Sequence, residues 1–298
     1  MSRSARQAFF FLALGLLAAS QSGNIIRLGE AHPAAIAAWR LLLAVLVLAP
    51  LAGRQLTQLA GLTRKEWALL LFTGAALSAH FLTWIAAVQM TTVANAAIFF
   101  SINPVLTAIA AHLIFGERLG WQLFLSIGLG LAGVAVIGIG DFTLAGGSPG
   151  GDAMALLCAV LFTAYFLAGK RLRPKLDNRV YVTVVYGTAA LVSFACFPFF
   201  DLPLLDYNAI TWFCFVLMAL VPTLIGHTSF NNALKHFDAS RIAAATLVEP
   251  LLAGLVAFFA WGERVTAAGA AGYLLICLSV LVLAFEGWKA EAVPDRMT

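Results

Sequence analysis

Apolar residues in this chain come in runs of about 20 separated by short polar breaks, and the rhythm persists from end to end. A run of that length crosses a ~30 Å hydrocarbon core as a helix. Ten are predicted, at 7–27, 33–51, 67–88, 93–114, 121–140, 153–170, 180–199, 213–234, 239–260 and 265–285. They leave little chain for a soluble domain. The pattern predicts an all-α polytopic membrane protein of ten transmembrane helices. Composition agrees, with 62% hydrophobic and 11% charged residues in 298, about half the charged share of soluble proteins.

Charge orients the runs. Fifteen basic residues fall on one side: Arg3, Arg6, Arg54, Arg64, Lys65, Arg118, Lys170, Arg171, Arg173, Lys175, Arg179, Lys235, Arg241, Lys289 and Arg296. The other side carries only Arg27 and Arg264, and Arg40 lies inside the second run. By the positive-inside rule both termini are cytoplasmic, in a bacterial-type inner membrane. The net charge of +4 is therefore an orientation signal and does not indicate a nucleic-acid partner. Arg3 and Arg6 before an apolar run also resemble a secretion signal. The run is long, lacks a small-x-small site near its end and has a counterpart later, so it reads as the first span. Cys158, Cys196, Cys214 and Cys277 sit singly in separate runs, without metal-ligand spacing, and are expected as free thiols.

A repeat divides the chain. Asn103-Pro104 leads, twelve residues on, to Gly116-Glu117-Arg118, and Glu249-Pro250 leads likewise to Gly262-Glu263-Arg264. The shift is 146 residues, and it also maps Gly23 to Gly169, Trp84 to Phe230, Ala87 to Ala233 and Phe115 to Trp261. Each half holds five runs. Five is odd, so the second half enters the membrane from the opposite face. Inverted halves can exchange conformations around a central site, the usual plan of secondary transporters. The expected organisation is a first repeat at 1–140, a flexible external linker at 141–152, an inverted second repeat at 153–286 and a cytoplasmic tail at 287–298.

Two five-helix halves, each ending Pro…Gly-Glu-Arg-Leu or Pro…Gly-Glu-Arg-Val, resemble the EamA branch of the drug/metabolite transporter superfamily over about residues 7–285. The resemblance implies a ten-helix basket around a central cavity. Helices 1, 3, 4, 6, 8 and 9 would line it, with 5 and 10 outside. It also implies export of amino acids, other small metabolites or drugs.

Two other motifs carry no chemistry. Gly128-Leu-Gly-Leu-Ala-Gly133 matches the dinucleotide fingerprint but lies inside the fifth run, where small residues let a neighbouring helix approach. Gly138-Ile-Gly-Asp141 resembles an intramembrane-protease element but lacks a facing carboxylate. No enzyme, cofactor or metal site is expected.

Polar groups within hydrocarbon each need a partner or a task. Glu249 lies near the midplane. It is read either as a substrate-amine contact or proton-coupling carboxylate, or as a structural group bonded to Arg40 or to backbone freed by Pro250. Pro104 and Pro250 are read as kinks with a hinge role. Asn95, Phe99, Asn103 and Thr107 form one stripe, facing substrate or another helix. His80 and Trp84 share a face that suits an aromatic or amino-acid solute, or a helix contact. Thr223, His227 and Asn231 form a second stripe. Gln21, Asn24 and Tyr165 are weaker candidates. Arg40, Glu117 and Glu263 are read as structural. Phe99, Trp84, Phe162 and Tyr165 against few charges suit an amphiphilic, often zwitterionic solute. The expectation is an exporter of small metabolites, foremost amino acids, working by alternating access. Multidrug or lipophilic-cation efflux is the alternative, ahead of a channel or intramembrane enzyme. Its partners are that solute and the lipid bilayer. A monomer suffices for that task.

Overall fold

The computed structural model describes residues 3–91, 93–145, 148–261 and 266–285, and these are helical without a strand. The Glu263 element, the tail from 286 and most of the Gly-rich linker tip lie outside the described residues or side chains, as does the Asn95 side chain. Among the described residues, eight helical stretches are long and apolar enough to cross a membrane, and two shorter apolar ones, Trp121–Ile137 and Ala267–Leu283, pair with each other.

Helix covers most of the described part of every predicted run, but four runs are interrupted within their length and the seventh ends in a turn at Cys196 and a 3-10 turn at Phe197–Phe199. The first divides at Gln21 into α1 (Arg3–Ser20) and α2 (Ser22–Ile26). Next come α3 (Pro33–Ala52) and α4 (Arg64–Met90). A capping box starts α4, with Thr63 accepting from Glu66 N and the Glu66 carboxylate accepting from Thr63 N. The fourth run breaks into α5 (Val93–Phe100) and α6 (Asn103–Phe115). Then follow α7 (Trp121–Ala145), α8 (Pro149–Leu172) and α9 (Asn178–Ala195). The eighth run is α10 (Ala209–Met218), a π-helical turn at Ala219–His227, and α11 (Thr228–Ala233). The ninth is α12 (Ala239–Ala245), a 3-10 turn at Thr246–Val248, and α13 (Glu249–Trp261). The last is α14 (Ala267–Phe285).

Three of these breaks have a proline beside or within them. Pro lacks the amide hydrogen and crowds the preceding turn, so it starts a helix well and continues one badly. Pro104 and Pro250 each occupy the second position of the helix after the break, in α6 and α13. Pro222 lies inside the π turn, where Thr223 Oγ1 donates back to the Met218 carbonyl at 2.7 Å. Such widened turns concentrate at functional sites.

Packing follows small residues. Gly133 of α7 faces Gly272 of α14; a Cβ on Gly133 would lie 2.7 Å from the Gly272 carbonyl. Seven residues away, Ser126 Oγ donates to the Ser279 carbonyl at 3.0 Å and Ser279 Oγ to the Ser126 carbonyl at 2.7 Å. Gly128-Leu-Gly-Leu-Ala-Gly133 is thus a helix-packing element. Residue numbers rise on α7 as they fall on α14, so the two helices run antiparallel. The other large interfaces are α4 with α8, α3 with α9, α4 with α9, and α1 with the π turn and α11.

Candidate functional site

Between these helices lies a cavity of about 390 Å³. Its wall is aromatic. His80, Phe81 and Trp84 come from α4, Phe100 from α5, Phe162 from α8, and His227 and Phe230 from the kinked eighth run. The rings interlock edge to face, with centroids at 5.6 Å for Trp84–Phe100, 5.1 Å for His80–Phe162 and 4.8 Å for Phe81–His227. The first run adds Ser20, Ser22 and Asn24 to the lining, and the ninth adds Thr246, Glu249 and Pro250. Ile137 of α7 and Tyr273 of α14 also line it, so the fifth and tenth helices are not wholly outside.

Most polar wall groups are held. His80 Nδ1 lies 3.2 Å from the Cys158 carbonyl and 3.1 Å from the Cys158 thiol, which hold the ring against α8. Trp84 Nε1 donates to Ser22 Oγ at 3.3 Å. Asn24 Nδ2 donates to the Ala253 carbonyl at 3.1 Å and Gln21 Nε2 to the Leu252 carbonyl at 3.4 Å, tying the first run to α13. Glu249 differs. It is the first residue of α13 and half-buried on the wall, and no described residue hydrogen-bonds or ion-pairs with its carboxylate. The helix N-terminus behind it favours negative charge there. Arg40 is not its partner. The Arg40 guanidinium instead donates from Nε to Thr223 Oγ1 at 2.8 Å and lies 3.9 Å over the Phe81 ring.

Of the predicted site residues, His80, Trp84, His227, Glu249 and Pro250 line the cavity together. Phe99 does not; its neighbour Phe100 takes that place. Asn103 is fully buried against α8, donating to the Ala159 carbonyl at 3.2 Å and Thr163 Oγ1 at 3.0 Å, with Pro104 buried beside it. Thr107 meets the same Thr163 hydroxyl at 3.2 Å. Tyr165 and Asn231 are also fully buried, bonded to each other at 2.8 Å, and Asn231 Nδ2 donates to the His227 carbonyl. Arg173 donates from Nε to the Asn231 carbonyl at 2.8 Å. Burial pulls the Arg173 guanidinium down to about 10. Phe81, Phe100 and Ser22 were missed by sequence reasoning; nothing in apolar periodicity separates a ring facing a cavity from one facing a helix.

The Gly-Glu-Arg element of the first half closes one end of the bundle. Gly116 ends α6 in the left-handed region at φ 67°, which turns the chain back. Glu117 then accepts from Ala239 N at 2.8 Å, Ser240 N at 3.1 Å and Ser240 Oγ at 2.6 Å, capping α12. Lys170 lies 3.8 Å from the same carboxylate and donates to the Phe237 carbonyl at 2.6 Å.

The model of the EamA-like transporter family matches this chain twice, at residues 7–139 and 149–285. The chain belongs to that family. Similar proteins include an uncharacterized transporter of Archaeoglobus fulgidus, 30% identical over 206 residues, 68% of this chain and 72% of that one. Another, from Vibrio cholerae, is 26% identical over 257 residues, 86% of this chain and 82% of its own. A solved crystal structure superposes at a TM-score of 0.79 with 20% identity, over 97% of this chain and all of that one; at that identity the likeness shows the fold. An EamA-like transporter is a multi-pass membrane protein that moves a small solute. In this one the helices enclose a cavity walled by aromatic rings, where the Glu249 carboxylate has no partner among the described residues.

Proposed function

We propose that this transporter is a secondary exporter of small metabolites, foremost amino acids, working by alternating access in a bacterial-type inner membrane. The observation that carries the solute class is the cavity. Its volume of about 390 Å³ is near the lower end of ligand sites, roughly 300–1,000 Å³. Its aromatic wall takes an apolar body, and the Glu249 carboxylate takes an amine.

Ten spans in two inverted repeats supply the mechanism. The antiparallel α7 and α14, which hold the same place in each half, support inversion. So does the pairing of α4 with α8, mirrored by α1 with the eighth run. Pro104 and Pro250, beside matched breaks, are the hinges. The fifteen-to-two distribution of Lys and Arg supports cytoplasmic termini. Glu249 couples transport to protons by alternating between carboxylate and acid. A second reading, efflux of lipophilic cations, draws on the same aromatic wall and carboxylate.

Proteoliposome uptake of neutral and aromatic amino acids and of lipophilic cations tests the solute. Amino acids are expected to move saturably. Movement of cations alone selects the second reading, and movement of neither overturns both. A pH gradient is expected to accelerate the wild type and not Glu249→Gln; equal wild-type rates with and without the gradient sink the coupling role.

A further inference from the structure

Arg40 is a cation inside a membrane helix, 1% exposed, in a bundle where charge is costly. Only its Nε is spoken for, by Thr223 Oγ1 at 2.8 Å. Its two terminal amino groups, Nη1 and Nη2, are buried without a hydrogen-bond partner, and no described carboxylate pairs with it. Tying α3 to the π turn needs one donor; a hydroxyl would serve without burying a charge. The side chain is therefore more than a helix tie. A guanidinium whose Nη1 and Nη2 are both free presents its end-on pair of donors, the fork that fits a carboxylate.

The place of Arg40 relative to the cavity completes the case. The guanidinium lies 3.9 Å over one face of the Phe81 ring, and Phe81 lines the cavity. His227 lines the cavity 4.8 Å from the same ring, is 7% exposed, and has an Nδ1 without a partner. Two unpartnered buried groups from different helices thus converge on one ring at the cavity wall.

We propose that Arg40 and His227 form the carboxylate subsite of the solute cavity, with His227 at the wall, Arg40 behind, and the Phe81 ring as the partition the carboxylate passes. The ligand class is a monocarboxylate with an apolar body. Glu249, on another helix of the wall, then faces the amine of a zwitterion. This rests on the cavity being the solute site, so the test separates the two claims.

The purified full-length chain is titrated calorimetrically with 3-phenylpropionate and with 3-phenylpropanamide, which keeps the shape without the charge. The wild type is expected to bind the acid at least about tenfold tighter than the amide. Arg40→Gln should bring that ratio to about one. If Arg40→Gln does not fold, Arg40→Lys, which keeps the charge without the fork, should lower the ratio at least about threefold. A wild-type ratio near one, or a ratio unchanged in the folded variant, overturns the subsite. Ala97→Trp, which fills the cavity from α5, should abolish binding of both probes. Binding of both undiminished by it overturns the cavity as the solute site and the subsite with it.

Discussion

Asn103 and Glu249 hold the same position in the two halves of the chain, 146 residues apart and each followed by proline. Each is the first residue of the helix after a break. Their surroundings are opposite. Asn103 is fully buried and anchors α6 to α8 through Ala159 and Thr163. Glu249 lines the cavity with no described partner. One repeat position thus secures a helix interface in the first half and supplies an unpaired charge in the second. The halves share a backbone plan, but the role of this position is not shared between them.

The swap that tests this contrast hardest is Asn103→Glu. It forces a charge into an interface that Ala159 and Thr163 already fill, and an unpaired buried charge costs about 3–5 kcal/mol. Loss of the monodisperse peak in detergent size-exclusion chromatography is expected; a folded variant with normal yield would erase the contrast. Glu249→Gln should leave that peak intact while lowering solute uptake about tenfold or more, a loss of about 1.4 kcal/mol. Next comes Thr163→Val, which strips the hydroxyl shared by Asn103 and Thr107. It should cost about 1–2 kcal/mol of stability, seen as a lower melting temperature, with uptake per folded molecule unchanged. The smallest effect belongs to Trp84→Phe, which keeps a ring on the wall and loses the bond to Ser22. Half-saturation should rise about two- to threefold at constant maximal rate, consistent with about 0.5 kcal/mol for one neutral hydrogen bond; an unchanged value would remove Trp84 from solute contact.

How far each candidate could be read depended on what surrounds it. Glu249 was legible because an acid in hydrocarbon demands a reason wherever its neighbours are. Its bond to Arg40, left open as an alternative, is not formed; charge alone could not say that Thr223 takes the Nε of that guanidinium and the Phe81 ring lies beneath it. The stripe through Phe99 and Asn103 assumed unbroken helix. The break before Pro104 rotates what precedes it, so Phe100 reaches the cavity and Phe99 does not. Asn231 and His227 sit four residues apart, yet one is bonded into Tyr165 and Arg173 while the other faces the cavity. The π turn between Met218 and Thr228 carried no signal beyond Pro222.

By itself the amino-acid order determined the apolar segments, the duplicated Pro…Gly-Glu-Arg element and the charge asymmetry. Each is a property of chain composition acting on lipid or on local backbone, and needs no knowledge of neighbours. Tertiary structure alone decided which polar groups are spent and which are free. Hydrogen bonds between helices join residues such as Ser126 with Ser279, or Glu117 with Ser240, far apart along the chain. Only after those bonds are made do Glu249, His227 Nδ1 and the two amino groups of Arg40 stand out, at or beside the cavity, among the described groups left over.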